Sequence, residues 1–356
     1  MKKHNLLVVI VAVVECIAFT AQPVQAAKYS KSEAKQVKYF QRKYKNLDKA
    51  QYNRNSIYQQ TPNFANPFSP GVLNPAYIST TMDYVNYYRD LVGLPSEANP
   101  DDANRSAQIG AASLAAVNAS ASLQAHGLIN YLRPNYISEN DWAIAENATL
   151  GNINFLADAH SASAGEIVTD LMREDNNIAG AGNIGHRAII LSTRATRMGI
   201  GAAYGMSTDM LYSVEYGLFA DDILRAPVKS RIVYPAAKVF PYELVGKDTP
   251  WSYSTTKRIS SKPKIYITDL TKNKKKRYRA TQVRNFKTLF YGEGYTTTIT
   301  YRPGKVKLVN THKYKVQIGK YYTYTFRFFR QKRLIVCKKG SRDFGCLFCF
   351  NHIISY

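Results

Sequence analysis

Four residues in the middle of the chain carry side chains that could share one site: His126, Glu146, Glu174 and His186. Imidazole nitrogens and carboxylate oxygens are the donors that zinc and similar divalent ions accept. His126 closes an alanine-rich run just before Gly127. His186 sits in Asn183-Ile184-Gly185-His186-Arg187, where a glycine turn leads into a short helix. Two histidines near helix termini and two acids on intervening segments would make a 2-His/2-Glu site. If all four ligate, the site binds and does nothing more. If one acid stays off the ion, Glu146 or Glu174 could act as base on a metal-bound water, and the chain would be a metal-dependent extracellular hydrolase. Spacing alone also allows the ordinary reading, in which each histidine is a cap or core residue and both glutamates are solvated. The sequence has no nucleophile elbow, no H-E-x-x-H and no phosphate-cradling loop. Three neighbours qualify the set. Asp175 competes with Glu174 as the acid. Arg187 could place either one by a charged hydrogen bond or make a structural pair, and His160 reads as a loop residue.

Positioning these groups requires helices followed by strands. Asn74-Pro75 supplies an N-cap and a pre-set first helical residue. Ile78, Met82, Val85 and Leu91 follow at near-helical spacing until Gly93 and Pro95. A second helix is expected over Ala107 to Ala125. Ser163 and Glu166 form a capping-box pattern for a third, ending near Glu174, and a fourth runs from Gly185 to about Ser192. Met198 to Tyr204 and Met210 to Tyr216 read as paired strands. This order predicts an α/β fold, a mixed sheet covered by helices.

Charge divides the chain. Residues 1–54 carry net +8, residues 55–228 net −9, and residues 229–356 net +24. At the start, Lys2, Lys3 and His4 precede an apolar run from Leu6 to Phe19 and a small-residue site at Val24-Gln25-Ala26. That is the layout of a secretory signal peptide over residues 1–26, and it predicts a secreted, extracellular, surface-associated protein. Cys16 leaves with that segment and Cys337, Cys346 and Cys349 crowd the end, so no disulfide can staple residues 17–336. Residues 27–68 read as a basic linker and residues 69–225 as the first folded unit.

Residues 226–331 read as a small basic antiparallel β domain. Alternation appears at Lys264 to Ile267, Thr296 to Tyr301, Lys305 to Val309, Lys313 to Ile318 and Tyr321 to Phe329. Six Lys/Arg within Lys272 to Arg279 mark a hairpin tip. Such a cluster serves either solubility alone or electrostatic attachment to an anionic cell-wall polymer or membrane surface. Nucleic acid, with Tyr321, Tyr322, Tyr324 and Phe326 as stacking faces, is the weaker partner, because alternating aromatics of a strand fill a core. Residues 332–356 form an atypical tail.

The central block resembles the CAP superfamily, the SCP-like or PR-1-like extracellular domains, in the form found in lactic acid bacteria. The matching stretches are Tyr84-Val85-Asn86-Tyr87-Tyr88-Arg89 with Gly93-Leu94, the alanine-rich run to His126, and Ala145-Glu146-Asn147. Leu171-Met172-Arg173-Glu174 and Asn183-Ile184-Gly185-His186-Arg187 complete them, over roughly residues 72–220. The resemblance implies an α-β-α sandwich whose cleft is lined by His126, Glu146, Glu174 and His186. It also implies zinc or another divalent cation in some members, and a small lipid or peptide as a possible ligand. Ala145 stands where the family has glycine, and Leu171 where tryptophan is common.

Overall fold

The computed structural model describes residues 28–206, 208–287 and 294–332. Residues 1–26, expected as a signal peptide, residues 333–356 and all four cysteines lie outside them. The fold is mixed α/β, with helices, a three-stranded sheet and two larger sheets.

The stretch expected as a linker opens instead with helix α1 (Lys31–Asn46). Ser30 and Glu33 cap it reciprocally, the Ser30 hydroxyl accepting from the Glu33 amide at 3.2 Å and Glu33 accepting from the Ser30 amide at 2.9 Å. Its apolar stripe is thin, Val37 and Phe40 being buried, and tertiary contacts supply the rest. Phe40 stacks on Phe329 at 6.4 Å, and Glu33 bridges to Arg327 and Lys313 at 3.1 and 3.0 Å. The chain up to residue 68 is likewise tied down. Strand β1 (Tyr58–Gln60) pairs with β2 (Val72–Leu73), and Tyr52 bridges to Ala162.

Helix α2 (Pro75–Leu91) begins as expected, with the Asn74 side chain accepting from Ala76 N–H at 3.0 Å. The second helix, α3 (Asp101–Ala116), starts earlier and stops nine residues short of Ala125. Asp101 and Asp102 occupy its first turn. At its end Asn118 adopts a left-handed φ of 47°, and Ala119 N–H returns to Leu114 O. His126 therefore lies in a separate 3-10 turn, Leu123–Leu128. Helix α4 (Glu139–Ala148) and strand β3 (Asn152–Leu156) follow, then α5 (Ala164–Arg173) and α6 (Gly185–Ile190). Ser163 caps α5 by position, but its side chain makes no cap hydrogen bond.

Strands β4 (Gly199–Tyr204) and β5 (Leu211–Tyr216) pair antiparallel as expected, and β3 joins to give the order β3-β5-β4. The two faces of this sheet feed two cores. Ala203, Tyr212 and Val214 join α3 and α4 on one side, and Ile200, Ala202 and Tyr204 join α2 and α5 on the other. Helix α3 lies unusually close to the sheet. A Cβ on Gly199 or Gly201 would stand 2.1 Å from the carbonyl oxygens of Ala103 and Ala107.

After α7 (Ala220–Ile223) come β6 (Arg231–Tyr234), β7 (Lys238–Pro241), β8 (Trp251–Thr255) and β9 (Ile265–Asp269). Then follow β10 (Arg277–Arg279), β11 (Thr281–Phe286), β12 (Thr297–Arg302), β13 (Lys313–Ile318) and β14 (Tyr322–Phe329). They form sheets ordered β10-β9-β13-β14-β7 and β11-β12-β8-β6, joined by aromatic packing such as Trp251 against Phe326 at 5.5 Å. The pairing is antiparallel except for β14 with β7, which run parallel. Lys305–Val309 is not a strand, because tyrosine hydroxyls take its backbone groups. Tyr314 donates to Lys307 O and accepts from Val309 N–H, and Tyr242 donates to Leu308 O. The basic run lies at the exposed tip of the β9–β10 hairpin. One core runs from α1 through α2 into both β sheets, so the expected boundary at residue 225 is not a break in packing.

Candidate functional site

The site is built around Glu174. It ends α5 in the left-handed conformation, φ 59°, a strained state for a non-glycine residue. That turn sends its carboxylate under the start of α6. Oε1 accepts from Arg187 N–H at 2.7 Å, and Oε2 is 2.9 Å from His186 Nδ1 and accepts from Asn177 Nδ2 at 2.7 Å. The carboxylate is fully buried and already spends both oxygens. Glu174 is thus an orienting residue, not a free ligand. It fixes the His186 ring with Nδ1 toward the acid and leaves Nε2 for other partners.

Across the cleft, His126 Nδ1 is 3.0 Å from Thr149 O at the end of α4. A carbonyl only accepts, so Nδ1 carries the proton and Nε2 keeps its lone pair. Both rings line a cleft of about 550 Å³, whose other polar lining includes Asp170, Glu166, Asn154, Asn176, Asn177 and three serines. Ile153, Phe155, Ile167, Leu171 and Ile178 form its apolar walls.

The two histidines are tuned apart. Burial lowers the His126 pKa, and the nearby His186 charge adds to this against backbone hydrogen bonds to Thr149 and Gly151. Burial also disfavours charge on His186, but Glu174, Glu215 and Asp170 outweigh it and raise the pKa above its ordinary value. Burial raises Asp170 as well. Behind His186, Glu215 is buried on β5 and pushed up to about 7, its Oε2 accepting from Asn152 Nδ2 at 3.2 Å. Asn152 also donates to His186 O at 3.1 Å.

The structure thus brings together three of the four expected residues: His126, Glu174 and His186. Glu146 is exposed on α4 and does not line the cleft. The residues present do not fit a four-ligand zinc site. Both oxygens of Glu174 are already hydrogen-bonded, Glu146 does not line the cleft, and among the described residues no three His, Cys, Asp or Glu side chains are grouped to share an ion. Asp175 does not replace Glu174, since it pairs with Arg173 and accepts from Thr249 Oγ1 at 2.6 Å. The expected role of Arg187 also changes. Its backbone N–H, not its guanidinium, holds Glu174. The guanidinium donates to Met172 O and Pro250 O at 2.7 and 2.8 Å and lies 3.7 Å from the Tyr234 ring centroid, tying the cleft to the β sheets. His160 is an exposed loop residue 3.2 Å from Asp209.

Sequence reasoning missed Asp170, Asn152, Asn177 and Glu215. One signal was available: an acid in the otherwise uncharged strand Leu211–Tyr216 must either pair or stay protonated. A scan against models of known protein families finds no match, and no curated protein matches the chain.

Proposed function

We propose that the chain is an exported bacterial surface protein with a CAP-type domain. Its cleft binds a small ligand without turning it over, and its basic β sheets hold it to an anionic wall polymer or membrane surface. The observation that carries this reading is the His186–Glu174 pair sharing with His126 a cleft lined by both polar and apolar side chains. Such a cleft suits a small lipid or a peptide: the rings and amides grip a polar end, and the walls cover an apolar body. The CAP assignment rests on the sequence motifs, and helices packed on both faces of the three-stranded sheet support it.

Hydrolysis is the less favoured reading. A metal-assisted mechanism needs three protein ligands and an open position, and among the described residues no three His, Cys, Asp or Glu side chains are grouped to supply them. No serine hydroxyl hydrogen-bonds either ring among the described residues, which leaves no activated nucleophile there. The Lys272–Arg279 hairpin supports surface attachment through its exposed cations. No helix of the described residues is long and apolar enough to cross a membrane.

The experiment is fractionation of producing cells. Export predicts a surface or medium form whose first residue is Ala27, released from the surface by salt. A form that keeps residues 1–26, or an association indifferent to salt, contradicts the proposal.

A further inference from the structure

We propose a second binding site, for a phosphoryl group, in the pocket where α1, the end of α2 and the β6–β7 segment meet, with Lys229, Arg231 and Lys238 as the anion-holding side chains. It is separate from the histidine cleft, and its test does not depend on what that cleft binds.

The pocket encloses about 440 Å³ between elements far apart in sequence, with Phe40, Val233 and Val239 among its apolar lining. Three cations line it and only one carboxylate, Asp90. Asp90 is already engaged, by Lys43 and by the Tyr39 hydroxyl at 2.7 Å. Arg231 and Lys238 have no acidic partner among the described residues. The Arg231 guanidinium lies 4.9 Å from the Tyr322 ring centroid, a contact that leaves its N–H edge for other bonds. Lys229 donates to Val92 O and is partly buried. Burial and the neighbouring Lys238 charge both push its pKa down, the mark of cations gathered without a counter-ion.

Lys238 has a φ of 77°, in the left-handed region, and pairs with Phe326 at the start of β7. A non-glycine residue in that state costs about 1 kcal/mol. A guanidinium and two ammonium groups match a phosphate, which spreads up to two charges over several acceptor oxygens, better than a single carboxylate. The aromatic lining, Tyr39, Phe40 and Tyr322, would cover whatever the phosphate is attached to.

The test is calorimetric titration of the full chain with inorganic phosphate and with glycerophosphodiester, at matched ionic strength against acetate. Saturable phosphate binding is expected. Arg231→Gln should weaken it about tenfold, the loss of one charge-assisted hydrogen bond. Lys238→Gly should weaken it similarly while leaving the thermal midpoint without phosphate equal or higher, because glycine relieves the strain. Lys274→Gln with Lys275→Gln in the hairpin should leave binding unchanged. Tighter binding of the diester assigns the site to a phosphate-bearing chain or polymer; binding of inorganic phosphate alone assigns it to the free ion. The proposal is overturned if no anion binds saturably, if acetate binds as well as phosphate, or if the hairpin variant loses as much as Arg231→Gln.

Discussion

Replacing Glu174 by glutamine isolates the role assigned to that carboxylate. The change keeps the shape but removes the charge and converts one oxygen into an NH₂ group. Three donors converge on the native carboxylate: Arg187 N–H, the His186 Nδ1–H and Asn177 Nδ2–H. The amide oxygen can keep two of them, so at least one buried donor meets an NH₂ and goes unpaired. An unpaired buried donor costs about 1–3 kcal/mol, and hydrogen bonds to an ionised acceptor exceed neutral ones by about 1 kcal/mol. The variant should therefore lose about 3 kcal/mol, read as a lower urea midpoint at pH 7. A second readout separates orientation from bulk stability. The His186 pKa is raised in the folded protein, so its contribution is complete below about 6.5 and is lost as pH rises through the folded value. In Glu174→Gln the ring titration followed by NMR should fall below that of the wild type, and this part of the pH dependence should vanish. A loss under about 0.5 kcal/mol with an unchanged His186 titration would refute the reasoning.

Three further outcomes follow from the same geometry. Gly201→Ala should destabilise the protein by several kcal/mol, or about 3, in thermal or urea unfolding, because its Cβ would meet the Ala107 carbonyl at 2.1 Å. Glu33→Gln should weaken the hold of α1 on Arg327 and Lys313 by about 2 kcal/mol, seen as faster amide exchange at Val37 and Phe40 with smaller changes in the three-stranded sheet. Glu215 is raised from 4.5 to about 7, so the native protein loses stability as pH rises through that window. Glu215→Gln should flatten it by about 3 kcal/mol, and an unaltered pH profile of unfolding contradicts the assignment.

The legible parts of the fold were those with local signals. Asn74-Pro75 marks the start of α2 because a cap and a fixed φ act on adjacent residues, and the apolar strands β4 and β5 pair across a short loop. Helix α1 was hidden because its stripe is thin and its decisive partners, Phe329, Arg327 and Lys313, lie almost 300 residues away. The end of α3 was misplaced because alanine favours helix up to residue 125, whereas Asn118 turns left-handed once Ala119 returns to Leu114. At the site, the motif spacing named His126, Glu174 and His186. It could not reveal that both oxygens of Glu174 are taken up by Arg187 N–H, His186 and Asn177, nor that Glu146 is exposed and does not line the cleft, since both depend on how α4, α5 and α6 dock. Asn152 and Glu215 come from two strands paired only in three dimensions.

The central claim is that the cleft holding His126 and the His186–Glu174 pair binds a ligand without chemistry. The most direct test is the rate at which the full chain hydrolyses wall, peptide and nucleic-acid substrates with saturating zinc, measured beside His186→Ala. The account predicts the same background rate for both proteins; a zinc-dependent rate in the wild type that disappears in His186→Ala contradicts it.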